Sequence, residues 1–146
     1  MVCRIQHGRS GRARVVSCLG TAALLLCAAA ASAQKPGTSA DSSRSAADGA
    51  YTADQATQGA AVFRNTCGNC HGTAQFKGPA FRKAWEGRAV YQLFDQLRNT
   101  MPLDNPGGLS ADDYAAVLAY MLQLNEYPPG KARLPSSDSA LKRITF

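Results

Sequence analysis

Cys67-Gly68-Asn69-Cys70-His71 is the stretch of this 146-residue chain whose residue types and spacing suit chemistry. Two thiols three residues apart can each add across one vinyl group of a porphyrin. The imidazole that follows directly can then take an axial position on the ring's iron. Gly68 and Asn69 are small, so the backbone can lie close against the macrocycle. Two other chemistries use a pair of cysteines at this spacing. A redox dithiol needs a strand-then-helix context, and a zinc site needs two further Cys or His ligands. The remaining candidates are His7, Cys3, Cys18 and Cys27, all near the start of the chain. The motif therefore points to one covalently bound haem c, with His71 as an axial ligand.

An iron with one histidine takes a second protein ligand or keeps an open side. Beyond the first 33 residues there is no second histidine, and the methionines are Met101 and Met121. Met121 falls on the apolar stripe of an expected helix and reads as core. Met101 precedes Pro102, which restricts it to extended backbone and carries it off the preceding helix into a loop. Met101 is thus the candidate sixth ligand. A thioether favours Fe(II) and raises the reduction potential. With both axial positions filled there is no vacancy for a substrate, which suits single-electron transfer. If Met101 is only a packed loop residue, the open position would suit a small haem peroxidase or a gas-binding sensor instead.

The elements that must hold these residues can be read in order. Thr52-x-x-Gln55 is a capping-box pattern and begins a helix expected to run to about Thr66, with Gly59 and Phe63 on one face. Gly72 to Phe81, containing Gly78-Pro79, reads as an irregular loop. Val90, Leu93, Phe94 and Leu97 follow helical spacing, so an amphipathic helix is expected over roughly 86–99. Trp85 and Arg88, at its start, could each reach a haem propionate. Plain packing for Trp85 and a solvated surface charge for Arg88 are the rival readings. Ser110 with Asp113 caps a last helix to about Asn125, whose apolar face runs through Tyr114, Val117, Leu118, Met121 and Leu124. A domain this small has a thin core, and porphyrin edges against Phe63, Leu93, Leu97 and Leu118 are expected to supply much of the missing apolar burial.

The ends have their own character. Residues 1–14 carry Arg4, Arg9, Arg12 and Arg14 and no acidic residue; an apolar run from Val15 to Ala30 follows, then Ala31-Ser32-Ala33. Together these read as a signal peptide over 1–33. The run is short for a membrane span of about 20 residues, and an uncleaved anchor is the alternative. The arginines are not adjacent, and Leu26 rather than a small residue precedes Cys27. A general secretion route to the periplasm therefore fits better than a twin-arginine or lipoprotein signal. Cleavage would remove three of the five cysteines, leaving Cys67 and Cys70 to be consumed as thioethers with no free thiol in an oxidising compartment. It would also remove four of the 16 Lys and Arg, so the formal charge of +6 belongs mostly to the leader and makes no case for nucleic-acid binding. Membrane contact is expected only if the leader stays attached. Residues 34–50, rich in Ser, Ala, Gly and Asp, read as a flexible linker. Residues 127–146, with Pro128-Pro129-Gly130 and Pro135, read as an extended tail packing on a domain spanning 51–126.

From Thr52 to Asn125 the chain resembles the class I, monohaem cytochromes c. The likeness is carried by Gly59 and Phe63 ahead of Cys67-Gly68-Asn69-Cys70-His71, then Gly78-Pro79, Met101-Pro102 and Ala119-Tyr120 in the closing helix. It implies an all-α, small cytochrome c fold: three main helices and loops around a covalent haem. The first and last helices would cross at right angles, Gly59 and Phe63 meeting Val117 and Tyr120. It also implies that Pro79 offers its carbonyl to the second N–H of His71. The segment from Trp85 to Met101 and the Pro-rich tail are similar to monohaem cytochromes that accept electrons from periplasmic quinoprotein dehydrogenases. The implied role is a carrier of single electrons rather than an enzyme, with a subunit or tethered domain of a larger dehydrogenase as a further reading. Its partners would be a periplasmic dehydrogenase, an oxidase or another cytochrome, met through the haem edge near Cys67 and Cys70.

Overall fold

A computed structural model describes residues 43–146. The expected signal peptide and the first part of the linker lie outside the described residues. Helix caps and apolar periodicity set the architecture. Thr52 accepts from the Gln55 N–H and starts helix α1 (Ala53–Val62). Ser110 accepts from the Asp113 N–H and starts helix α4 (Ala111–Leu124). Each cap satisfies a backbone donor that the first turn would otherwise leave unpaired. Between them lie α2 (Pro79–Trp85) and α3 (Val90–Thr100), and α5 (Asp138–Leu141) follows in the tail. The fold is all-α, with α1, α3 and α4 as its long members. Among the described residues no helix is long and apolar enough to cross a membrane.

The crossing of α1 on α4 is the central packing event, and a glycine makes it possible. A Cβ built on Gly59 would collide with the Ala116 carbonyl of α4, so only hydrogen lets the backbones approach this closely. Next to the crossing, the Phe63 and Tyr120 rings lie 5.7 Å apart. Helix α3 also packs against α4. Its Val90, Leu93 and Phe94 are buried, while Leu97 is half-buried. On α4, Tyr114, Val117, Leu118 and Met121 are buried.

Three sequence expectations are corrected here. The loop expected over 72–81 contains a 3₁₀ turn (Thr73–Phe76) and the start of α2. Gly78, at φ +91°, breaks the chain, and Pro79 opens a new helix because its fixed φ suits the first helical position. The linker expected to stay flexible through Ala50 is already packed from Arg44. Strand β1 (Arg44–Ser45) runs parallel to β2 (Ile144–Thr145), with Arg44 opposite Ile144 and Ser45 opposite Thr145. Ala46, Ala50 and Tyr51 are buried behind it. A segment without large side chains orders when a second segment supplies backbone partners and apolar cover. Finally, Phe63, Leu93 and Leu118 are buried by the protein itself, so they need no porphyrin edge. The tail contributes Leu134, Leu141 and Ile144 to the same core.

The tail is tied down by specific polar contacts as well. Gln55, 1% exposed on α1, donates its side-chain amide to the Leu134 carbonyl at 2.9 Å and accepts from the Leu134 N–H at 2.7 Å. The Tyr51 hydroxyl donates to the Tyr127 carbonyl at 2.7 Å. Arg98 of α3 reaches Asp138 of α5 at 3.0 Å and Asp95 of its own helix at 3.0 Å.

Candidate haem site

Helix α1 does not end cleanly. It widens into a π-helical turn over Phe63–Cys67, closed by the Gly68 N–H donating to the Phe63 carbonyl at 2.7 Å. Such wide turns recur at functional sites. The chain then folds back, the N–H groups of Cys70 and His71 both donating to the Cys67 carbonyl at 3.1 and 2.9 Å. One compact turn therefore carries both sulfurs and the imidazole.

Opposite this turn, α3 ends at Thr100 and Met101 leaves in extended backbone, followed by a cis peptide bond to Pro102. Between the two walls lies a cavity of about 670 Å³ lined by Cys67, Cys70, His71 and Met101, with Thr66, Asn69, Pro102, Leu103 and Asp104. That volume is within the usual range for small-molecule and cofactor sites. Leu103, 83% exposed, is the large apolar side chain left uncovered among the described residues, and it stands at this cavity. Neither sulfur is in a disulfide. Burial pushes the Cys67 thiol up, opposite to the depression that activates a redox dithiol. Among the described residues no group of three or more His, Cys, Asp or Glu stands together as a metal site. Two unpaired thiols, an imidazole and an apolar rim around one cavity fit a covalently attached haem.

The other expected site residues fall elsewhere. His71 Nδ1 pairs with Gln75 Oε1 at 3.0 Å, not with Pro79. Pro79 starts α2 and lines a separate surface cleft with Arg82, Lys83, Glu86 and Tyr127. Trp85 packs between Phe81 and Phe146, with ring centroids 6.3 and 5.8 Å away. The Arg88 guanidinium lies over the Trp85 indole at 5.5 Å. Neither lines the cavity: Trp85 ends α2 against the Phe146 ring, and Arg88, in the turn that follows, accepts from the Phe146 N–H through its carbonyl at 2.9 Å. Met121, 1% exposed, is interior to α4.

Three residues that matter here escaped the sequence reading. Gln75 sits one helical step beyond His71, a spacing that could have suggested the contact. Tyr114 looked like part of an apolar stripe, yet its hydroxyl donates to the Met101 carbonyl at 2.6 Å. Asn125, buried at the end of α4, accepts from the Gly78 N–H at 3.0 Å and donates to the Phe76 carbonyl at 2.7 Å. It thereby fixes the segment that follows the haem motif.

Residues 54–121 match the family model described as cytochrome C oxidase, cbb3-type, subunit III. That model describes a c-type cytochrome domain, and the match over this segment is consistent with the monohaem cytochrome c family. Such a domain implies covalently bound haem c and supports a role as a c-type electron carrier. No curated protein and no solved structure matches the chain.

Proposed function

We propose that this protein is a periplasmic carrier of single electrons whose haem is attached through Cys67 and Cys70 and ligated by His71 and Met101. The observation that carries the reading is the shared cavity: of the two methionines in the described chain, Met101 lines it with His71, and Met121 does not. When bound, the haem supplies a one-electron Fe(III)/Fe(II) couple. The protein's own residues fix its potential and accessibility. Met101 offers a soft donor that favours the reduced state. Gln75 orients the His71 ring and its basicity through Nδ1. The basic start, apolar run and Ala31-Ser32-Ala33 support export, with the leader removed. The family description names an oxidase subunit, which supports a respiratory acceptor. The donor, on the likeness of the Trp85–Met101 segment and tail, is a periplasmic dehydrogenase. Such partners meet transiently over small interfaces.

The rival is an open sixth position, as in a small haem peroxidase or gas sensor. Potentiometric titration of the purified holoprotein, followed by absorbance, separates the two. The expected result is a one-electron transition with a weak red-end band in the ferric state that reports sulfur ligation. A ferric spectrum without that band, with ready carbon monoxide binding by the ferrous protein at neutral pH, would favour the rival.

A further inference from the structure

Residues 101–110 join α3 to α4, and their backbone hydrogen bonds turn largely back on the loop. Asn105 N–H donates to the Pro102 carbonyl at 3.0 Å, and Gly108 N–H to the Asn105 carbonyl at 2.9 Å. Leu103 to Gly108 are all exposed. The loop's start is different. Met101 N–H still belongs to α3, donating to the Leu97 carbonyl at 2.9 Å. Its carbonyl instead accepts from the Tyr114 hydroxyl of α4 at 2.6 Å.

Tyr114 is built as a fixed donor. It is 2% exposed, and its ring stands edge-on to Phe94 of α3 at 6.3 Å and 79°. Packing between two helices sets the ring's direction, and the single polar atom lands on the backbone of the residue whose thioether lines the cavity. A phenylalanine would fill the same volume. What the hydroxyl adds is orientation: it holds the Met101–Pro102 peptide, and with it the direction of the Met101 side chain. A buried hydroxyl and the carbonyl it meets both lose a partner if this bond opens, so the closed arrangement is favoured.

We propose that Tyr114 is a positioning residue for Met101, a latch between α4 and the start of the 101–110 loop that keeps the thioether on the iron. The inference rests on Met101 being the sixth ligand. It connects the two functional readings, because a shut latch gives a closed electron carrier and an open one exposes the sixth position. An external ligand binds only the open form, so its apparent affinity scales with the open fraction.

The test is an imidazole titration of ferric holoprotein, following loss of the red-end band, in the wild type, Tyr114→Phe and Ile144→Val. Ile144 is a buried tail residue remote in sequence from the loop, and its truncation controls for general loss of stability. The expected result is a band in all three proteins, with imidazole displacing it at about fivefold lower concentration in Tyr114→Phe alone. Equal midpoints in Tyr114→Phe and the wild type, or an equal fall in Ile144→Val, would overturn the latch and leave Met101 as ligand. A wild type lacking the band would overturn the ligand assignment, and the latch with it.

Discussion

At the scale of single residues, the site depends on groups that aim the ligands as much as on the ligands. Gln75 is the clearest case, since its amide oxygen takes the Nδ1 side of His71 at 3.0 Å. A carboxylate in that place would make the imidazole a stronger donor and favour Fe(III). Gln75→Glu is therefore expected to lower the midpoint potential by on the order of 40 mV, the one-electron equivalent of about 1 kcal/mol. Potentiometry on the two holoproteins measures this; an unchanged or higher potential would show that Gln75 does not act through His71. The sequence brought Cys67, Cys70 and His71 forward because covalent haem attachment demands fixed residue types at fixed spacing, and Met101 because Pro102 carries it into a loop; all four line one cavity. It did not do so for Gln75, Tyr114 and Asn125. Glutamine, tyrosine and asparagine gain such roles only from what folds beside them, and Pro79 seemed a better partner until α2 claimed it.

At the scale of elements, the α1–α4 crossing sets where the haem-binding turn emerges. Gly59→Ala should gain about 1 kcal/mol of helix propensity. It must also place a methyl group against the Ala116 carbonyl, which is backbone and cannot swing aside. Overpacking costs typically 1–3 kcal/mol, and a clash this close with backbone sits at the top of that range, so the steric term is expected to win with a net loss of about 2 kcal/mol. Denaturant melts of the two holoproteins would show it as a lowered midpoint, and an unchanged or raised midpoint would mean that the helices can separate freely. The long helices were readable because caps and 3.6-residue periodicity are local signals. Helix α2 was missed for an equally local reason: Gly78-Pro79 breaks one element and starts the next, and only the first half of that meaning was read. The π turn has no signature of its own, since Phe63 to Thr66 satisfy α-helical spacing equally well.

At the scale of the molecule, both ends of the described chain close the core together. Composition alone suggested a loose lead, because it counts large apolar side chains and overlooks what a partner strand can cover. The tail's docking has an electrostatic part. Asp95 is held below the usual carboxylate range, chiefly by the hydrogen bond from Arg98, which also grips Asp138 on α5. A carboxylate lowered by folding contributes stability that is fully present above its unfolded pKa and lost as pH falls through its lowered folded value. The thermal midpoint is thus expected to fall as pH drops from that unfolded value through the lowered one, and Arg98→Leu should flatten this slope. Identical pH dependence in the two proteins would remove the Arg98 bridge from the account of how the tail is held.

Everything functional turns on which sulfur faces the iron. The direct measurement is the ferric red-end absorption band in wild-type, Met101→Ala and Met121→Ala holoproteins, purified side by side. The account requires the band in the wild type and Met121→Ala and its loss in Met101→Ala. A band that survives Met101→Ala, or that disappears with Met121→Ala instead, would contradict it.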